Sequence, residues 1–119
     1  MTKEDLLEYN SLCDEWDELC RRINELEQHH EVNRSAFAEL VYDRRLLSLK
    51  KRKVYVDERI SAMEVEIERL PSIERRLICL RYFEGWSWRK IACELGYSYD
   101  HVTGYLHKKA LCDLKVNNS

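Results

Sequence analysis

The stretch "EGWSWRKIACELGYSYDHVTGYLHKKAL", Glu84 to Leu111, decides how the whole chain is read. Ser87 suits the N-cap of a helix, because its hydroxyl can accept an orphan backbone N–H. Trp86 just before it and Ile91 four residues inside have the spacing of a hydrophobic staple, although Lys90 stands where a capping box has glutamate. Gly96 supplies the left-handed residue that ends this helix, Tyr97 bridges, and Ser98 caps the next helix. Ile91, Ala92 and Leu95 face inward from the first helix, and Ala92 is small enough for another helix to cross closely. Val102, Leu106, Ala110 and Leu114 then step by four along the buried side of the second. Two short helices joined at a glycine, each capped and each with one apolar side, make a helix-turn-helix.

Working outward, Pro71 disfavours continuation through Leu70 and suits the first turn of a new helix. "SIERRLICLRYF" is expected to pack through Ile73, Leu77, Leu80 and Phe83, ending at Gly85. In front of Pro71 the chain has no glycine or proline, so residues 1–70 should be helical almost throughout. Tyr9, Leu12, Trp16, Leu19, Ile23, Leu26 and His30 recur at steps of three and four. A second seam runs through Tyr42, Leu46, Leu49, Lys53, Val56, Ile60, Met63, Ile67 and Leu70, interrupted only by Lys53. At ~1.5 Å per residue these helices span roughly 40 and 50 Å. "HHEVNRS" lies between them and offers Asn33 and Ser35 as caps.

Charge separates a hairpin from one continuous rod. Met1 to Glu31 carries ten acidic and three basic residues, and Arg44 to Arg59 carries seven basic and two acidic. Folding the second helix back on the first pairs opposite charges, which favours an antiparallel hairpin. "KKRKVY" is then a solvated face partnering the acidic helix rather than an added phosphate patch. The expected fold class is therefore all-α: a coiled-coil-like hairpin in 1–70 for dimerisation or partner binding, and a helix-turn-helix in 71–119. A two-helix hairpin has little depth of core, and Trp16, Tyr42 and Tyr55 enlarge its apolar surface, so self-association into a four-helix bundle or packing on the C-terminal module is expected.

By halves, 1–70 holds 12 basic and 17 acidic side chains, and 71–119 holds 8 and 5, so the C-terminal module is the basic one. Cys13, Cys20, Cys79, Cys93 and Cys112 form no C-x-x-C pair and are read as buried thiols, with neither a disulfide framework nor a metal site. No run of about 18 apolar residues and no secretion signal is present, so a soluble chain is expected. The four histidines pair with no nucleophile, and there is no glycine-rich phosphate loop, so neither catalysis nor a cofactor is expected.

The outward side of the second helix presents Tyr99, Asp100, His101, Thr103, Gly104 and His107, candidates for base edges in a major groove. Ser87, Trp88, Arg89, Lys90, Ser98 and Lys108 are candidates for phosphates, with Arg75, Arg76, Arg81, Lys109 and Lys115 adding charge. Asp100 is read first as a helix cap, Tyr105 as core, and Gly104 as a sign of close approach by a phosphate or another helix.

"LPSIERRLICLRYFEGWSWRKIACELGYS" resembles region four of bacterial sigma factors, and more closely the small phage and prophage regulators of the RinA and ArpU type. The likeness covers Leu70 to Leu114. It implies a cytoplasmic protein of a bacterial host that binds double-stranded DNA near a promoter, activates phage late genes and can contact RNA polymerase. A homodimer through the N-terminal helices would give two half-sites. The alternatives are a protein-interaction module acting as an anti-activator, and a terminase-like subunit recognising packaging DNA. The pattern "V-x-x-L-H-x-x-A-L" of that family is present here with one extra residue between Val102 and Leu106, which leaves the register after Gly104 open by one.

Overall fold

A computed structural model describes residues 1–31 and 35–117, with side chains through 114. Every element among the described residues is helical. The order is α1 (Lys3–Gln28), α2 (Ala36–Glu68), α3 (Ser72–Ile78), a π turn (Cys79–Phe83), α4 (Trp88–Leu95), α5 (Tyr99–His101), a second π turn (Val102–Leu106) and α6 (His107–Asn117). Asn33, one of the two expected caps, lies outside the described residues. Ser35 is the cap: its hydroxyl accepts from Ala38 N–H at 3.2 Å and its carbonyl from Glu39 N–H at 3.0 Å.

Two compact units divide the chain, and helices α1 and α2 each pass from one into the other. One unit, Ser11–Ile60, is an antiparallel hairpin. Residues early in α1 pair with residues late in α2 and the reverse. Arg52 Nε donates to Glu15 Oε1 at 2.6 Å, Lys50 lies 3.6 Å from Glu27, and His30 Nε2 lies 2.9 Å from both oxygens of Glu39. The basic stretch thus faces the acidic helix. Lys53, the break in the apolar seam, holds its ammonium over the Trp16 ring at 5.3 Å from the centroid, so a cation–π contact takes the place of an apolar one. Leu12, Leu19 and Val56 are buried, and His30 stacks on Tyr42 with centroids 3.8 Å apart.

The other unit, Met1–Asn10 with Ser61–Ser119, begins inside α2, ten residues before the expected division at Pro71. The helix does break at Pro71, but Met63, Ile67 and Leu70 are buried in the same unit as Leu77 and Ile91. The first turns of α1 belong there as well. Leu6 is fully buried, Asn10 Nδ2 donates to the Tyr82 carbonyl at 2.9 Å, and Tyr9 stacks on Phe83 at 3.9 Å.

The expected stripe Ile73–Leu77–Leu80–Phe83 is only partly the packed face. Glu74, Leu77, Ile78 and Tyr82 are the buried residues, with Ile73, Leu80 and Phe83 half-buried. The π turn, closed by Glu84 N–H donating to the Cys79 carbonyl at 3.1 Å, advances the chain less per residue and brings Tyr82 inward. Gly85, at φ 71°, then turns the chain toward α4. The cysteines are less buried than expected: Cys13, Cys20 and Cys79 are half-buried, and Cys93 and Cys112 exposed.

Candidate nucleic-acid interface

Helix α4 starts where the caps require. Ser87 Oγ accepts from Lys90 N–H at 3.2 Å, and the Lys90 ammonium lies 3.9 Å from the Trp86 ring centroid, so a cation–π contact stands where a capping box would put a carboxylate. Gly96, at φ 77°, ends the helix, with its own N–H and that of Tyr97 both donating to the Ala92 carbonyl at 3.0 and 3.1 Å. Ser98 Oγ accepts from His101 N–H at 3.1 Å and opens the second helix. Ile91, Ala92, Val102, Leu106, Ala110 and Leu114 are all buried, so the apolar side expected of both helices is the packed one.

From Tyr99 onward the chain forms one path, α5, π turn and α6. An α-helix of 3.6 residues per turn lets side chains four apart drift around the axis, and the wider π turn takes up that drift. It keeps Val102 and Leu106, four apart, both buried. Three rows of side chains then flank the buried one. Tyr99, Thr103 and His107 line one cleft. Asp100, Gly104 and Lys108 are exposed on the side away from Val102 and Leu106. Tyr97, His101 and Tyr105 form a ladder of rings with centroids 5.0 and 5.2 Å apart.

The candidate residues separate accordingly. Asp100 makes no hydrogen bond or ion pair among the described residues, and the cap expected of it is supplied by Ser98. Thr103 Oγ1 donates back to the Tyr99 carbonyl at 2.9 Å. Tyr105, expected in the core, is 53% exposed, and its neighbour Leu106, expected on the buried side, is buried. Gly104 has a helical backbone, and a Cβ added there would meet nothing within 4 Å, so no neighbouring helix requires the glycine. His107 is turned toward the module: it lies 2.6 Å from the Tyr82 hydroxyl, and its ring is 4.6 Å from that of Trp88. Arg89, Lys90 and Lys108 are exposed, and Ser87 and Ser98 use their hydroxyls as caps. The side chain of Lys115 lies outside those described.

Behind the helix that begins at Tyr99, the Arg81 guanidinium lies over the Trp88 ring at 4.5 Å and donates to the Trp86 carbonyl at 3.0 Å. Burial, with the positive charges of Lys3 and Arg81, pushes His107 below its ordinary value of 6.5, so the imidazole is neutral at pH 7. Burial also holds the Tyr82 phenol protonated. A neutral pair 2.6 Å apart needs one proton between them, and the phenol can donate to a bare Nε2.

Sequence reasoning gave Glu74 no role. It is buried, accepts from Lys109 Nζ at 2.7 Å, and Lys109 also donates to Asp113 at 3.1 Å, which ties α3 to α6. Burial raises the Glu74 carboxyl above the usual glutamate value, while the Lys109 bond lowers it; Asp113 is held low by its bonds to Glu74 and Lys109. Glu74 is three and four residues before Leu77 and Ile78, and that spacing would have marked it had the stripe been anchored on Ile78.

Residues 60–108 match the family model Sigma-70, region 4. The C-terminal module is a sigma region-4-like helix-turn-helix, a DNA-binding type of domain. The match begins at residue 60, next to the start of the compact unit at Ser61. No curated protein and no solved structure matches the chain. No helix among the described residues is long and apolar enough to cross a membrane.

Proposed function

We propose that this protein is a sequence-specific DNA-binding transcription regulator that reads base edges with the helix beginning at Tyr99. One observation carries the reading: with Val102 and Leu106 locked into the core, Asp100, His101 and Gly104 stand on the outward side of a doubly capped helix-turn-helix. Asp100, with no partner of its own, can accept from a cytosine amino group, and His101 can meet a purine edge. Arg89, Lys90 and Lys108 supply phosphate contacts, so the reading helix needs no arginine of its own. Tyr99 and Thr103 border the same surface, and His107 serves to position Trp88 and Tyr82 rather than to read bases. The finer reading, a phage or prophage activator of late genes that contacts RNA polymerase, rests on the resemblance of residues 70–114 alone. A homodimer through the hairpin completes it by doubling a weakly basic footprint. No catalytic role is proposed.

Selection of double-stranded DNA from a random pool by the full chain tests the proposal. Asp100→Asn and His101→Ala should each change preference at one base position by about 1–3 kcal/mol. Arg89→Ala should weaken all sites alike and lower the salt slope by about 0.9. A chain that enriches no sequence and instead captures RNA polymerase or another regulator would be an interaction module of the anti-activator kind.

A further inference from the structure

The family match begins at residue 60, which leaves α1 outside it, yet α1 contributes to a cleft beside the reading helix. This cleft, of about 670 Å³, is bordered by Lys3 from the first turn of α1, by Arg81 and Trp88, and by Tyr99, Thr103 and His107. None of the residues lining it is acidic. Neither Lys3 nor Arg81 has a carboxylate partner among the described residues. Arg81 is held in place by the Trp88 ring beneath it and the Trp86 carbonyl, so its charge is presented from a fixed position. Burial first, and then the charges of Lys3 and Arg81, hold the neighbouring His107 below its ordinary value, so the cleft carries no third cation at neutral pH. A cleft with two cations that have no carboxylate partner, one of them preorganised, and with Tyr99 in its lining is complementary to a phosphate group.

We propose that this cleft seats a backbone phosphodiester of the bound duplex, so that Lys3 makes the first turn of α1 part of the DNA interface. The proposal rests on the DNA-binding reading above. The rim residues Tyr99 and Thr103 adjoin the outward ridge of Asp100 and Gly104, so a strand lying along that ridge has its backbone beside the cleft. Lys3 supplies a mobile charge and Arg81 a fixed one on the same anion.

The full chain and its Lys3→Ala and Lys3→Glu variants test this by fluorescence anisotropy on a selected duplex at several salt concentrations, with Arg89→Ala alongside. Lys3 is exposed, so neither change should disturb folding, which a melting curve checks. Lys3→Ala should lower affinity roughly fivefold near physiological salt and reduce the salt slope by about 0.9, with base preference unchanged. Lys3→Glu should weaken binding further. If both Lys3 variants keep the wild-type slope while Arg89→Ala lowers it, the cleft takes no DNA phosphate and the DNA reading stands. If the wild-type chain binds no duplex, both fall. If a free nucleoside monophosphate stabilises the chain in a Lys3-dependent way while the DNA slope is unaffected, the cleft is a small-ligand site and the proposal is overturned.

Discussion

Gly104 is a residue that stability alone does not explain. A glycine inside a helix costs about 1 kcal/mol relative to alanine. Here the backbone is helical, and nothing in the chain stands within 4 Å of where a Cβ would be. Gly104→Ala should therefore raise stability by about 1 kcal/mol in thermal or denaturant unfolding. If the bare surface admits a closely approaching DNA groove, the same variant should bind the selected duplex more weakly, although it is the more stable protein. Gained stability with unchanged affinity would remove close approach as the reason for the glycine. At this scale much was legible: Ser35, Ser87, Ser98 and Gly96 do what their chemistry suggests, because caps and left-handed glycines are decided by a few adjacent atoms. Tyr105 was misread in spite of a legible signal, since the step of four through Val102, Leu106 and Ala110 already fixed the buried side and a residue next to Leu106 lies off it.

Two elements depart from a regular helix, and both shape the site. The π turns at Cys79–Phe83 and Val102–Leu106 bring Tyr82 and His107 within 2.6 Å, joining the end of the α3 path to the start of α6. A strict three-and-four stripe drawn through Ile73, Leu80 and Phe83 misses this, because the period itself changes along the element. On the same helix pair, Lys109 spans Glu74 and Asp113, and its removal tests how the buried carboxylate is tolerated. Burial raises Glu74 above the ordinary 4.5, so the folded state favours its protonated form more than the unfolded chain does, and its contribution is greatest in acid and declines as pH rises through the folded value. Lys109 opposes that decline by pairing with the ionised form. Lys109→Met should therefore lower the melting temperature at pH 7, and the deficit should shrink as pH falls from neutrality toward 4.5. Asp113 has the opposite sign, but its contribution is lost only near or below its ordinary 3.8, outside that window. A deficit independent of pH would mean that Glu74 is not the group responding.

Over the whole molecule the question is how a 119-residue chain with +3 on residues 71–119 and −5 on residues 1–70 binds DNA well. Log affinity falls with log salt in proportion to the phosphates neutralised, so one weakly basic module is a poor binder at physiological ionic strength and two in one complex double the footprint. The hairpin has the surface for such pairing. The seams read from the sequence are used up within the hairpin and the module, yet α2 leaves Phe37, Leu40, Leu47 and Val54 exposed at 75, 48, 54 and 57%. Leu40, Leu47 and Val54 are seven residues apart, the repeat of a coiled-coil seam, and a second copy of the chain offers the same stripe in return. The composition pointed to self-association, but this stripe was hidden behind the stronger seam of the same helix. Leu47→Glu with Val54→Glu should leave the monomer folded, since both side chains are exposed. Sedimentation should show the wild-type chain as a dimer and the variant as a monomer. Anisotropy should show the variant losing affinity for a two-half-site duplex while keeping its weaker affinity for a single half-site. A wild-type chain that sediments as a monomer at micromolar concentration, or a variant that keeps full two-site affinity, would remove the hairpin from DNA recognition and leave that stripe to a different protein.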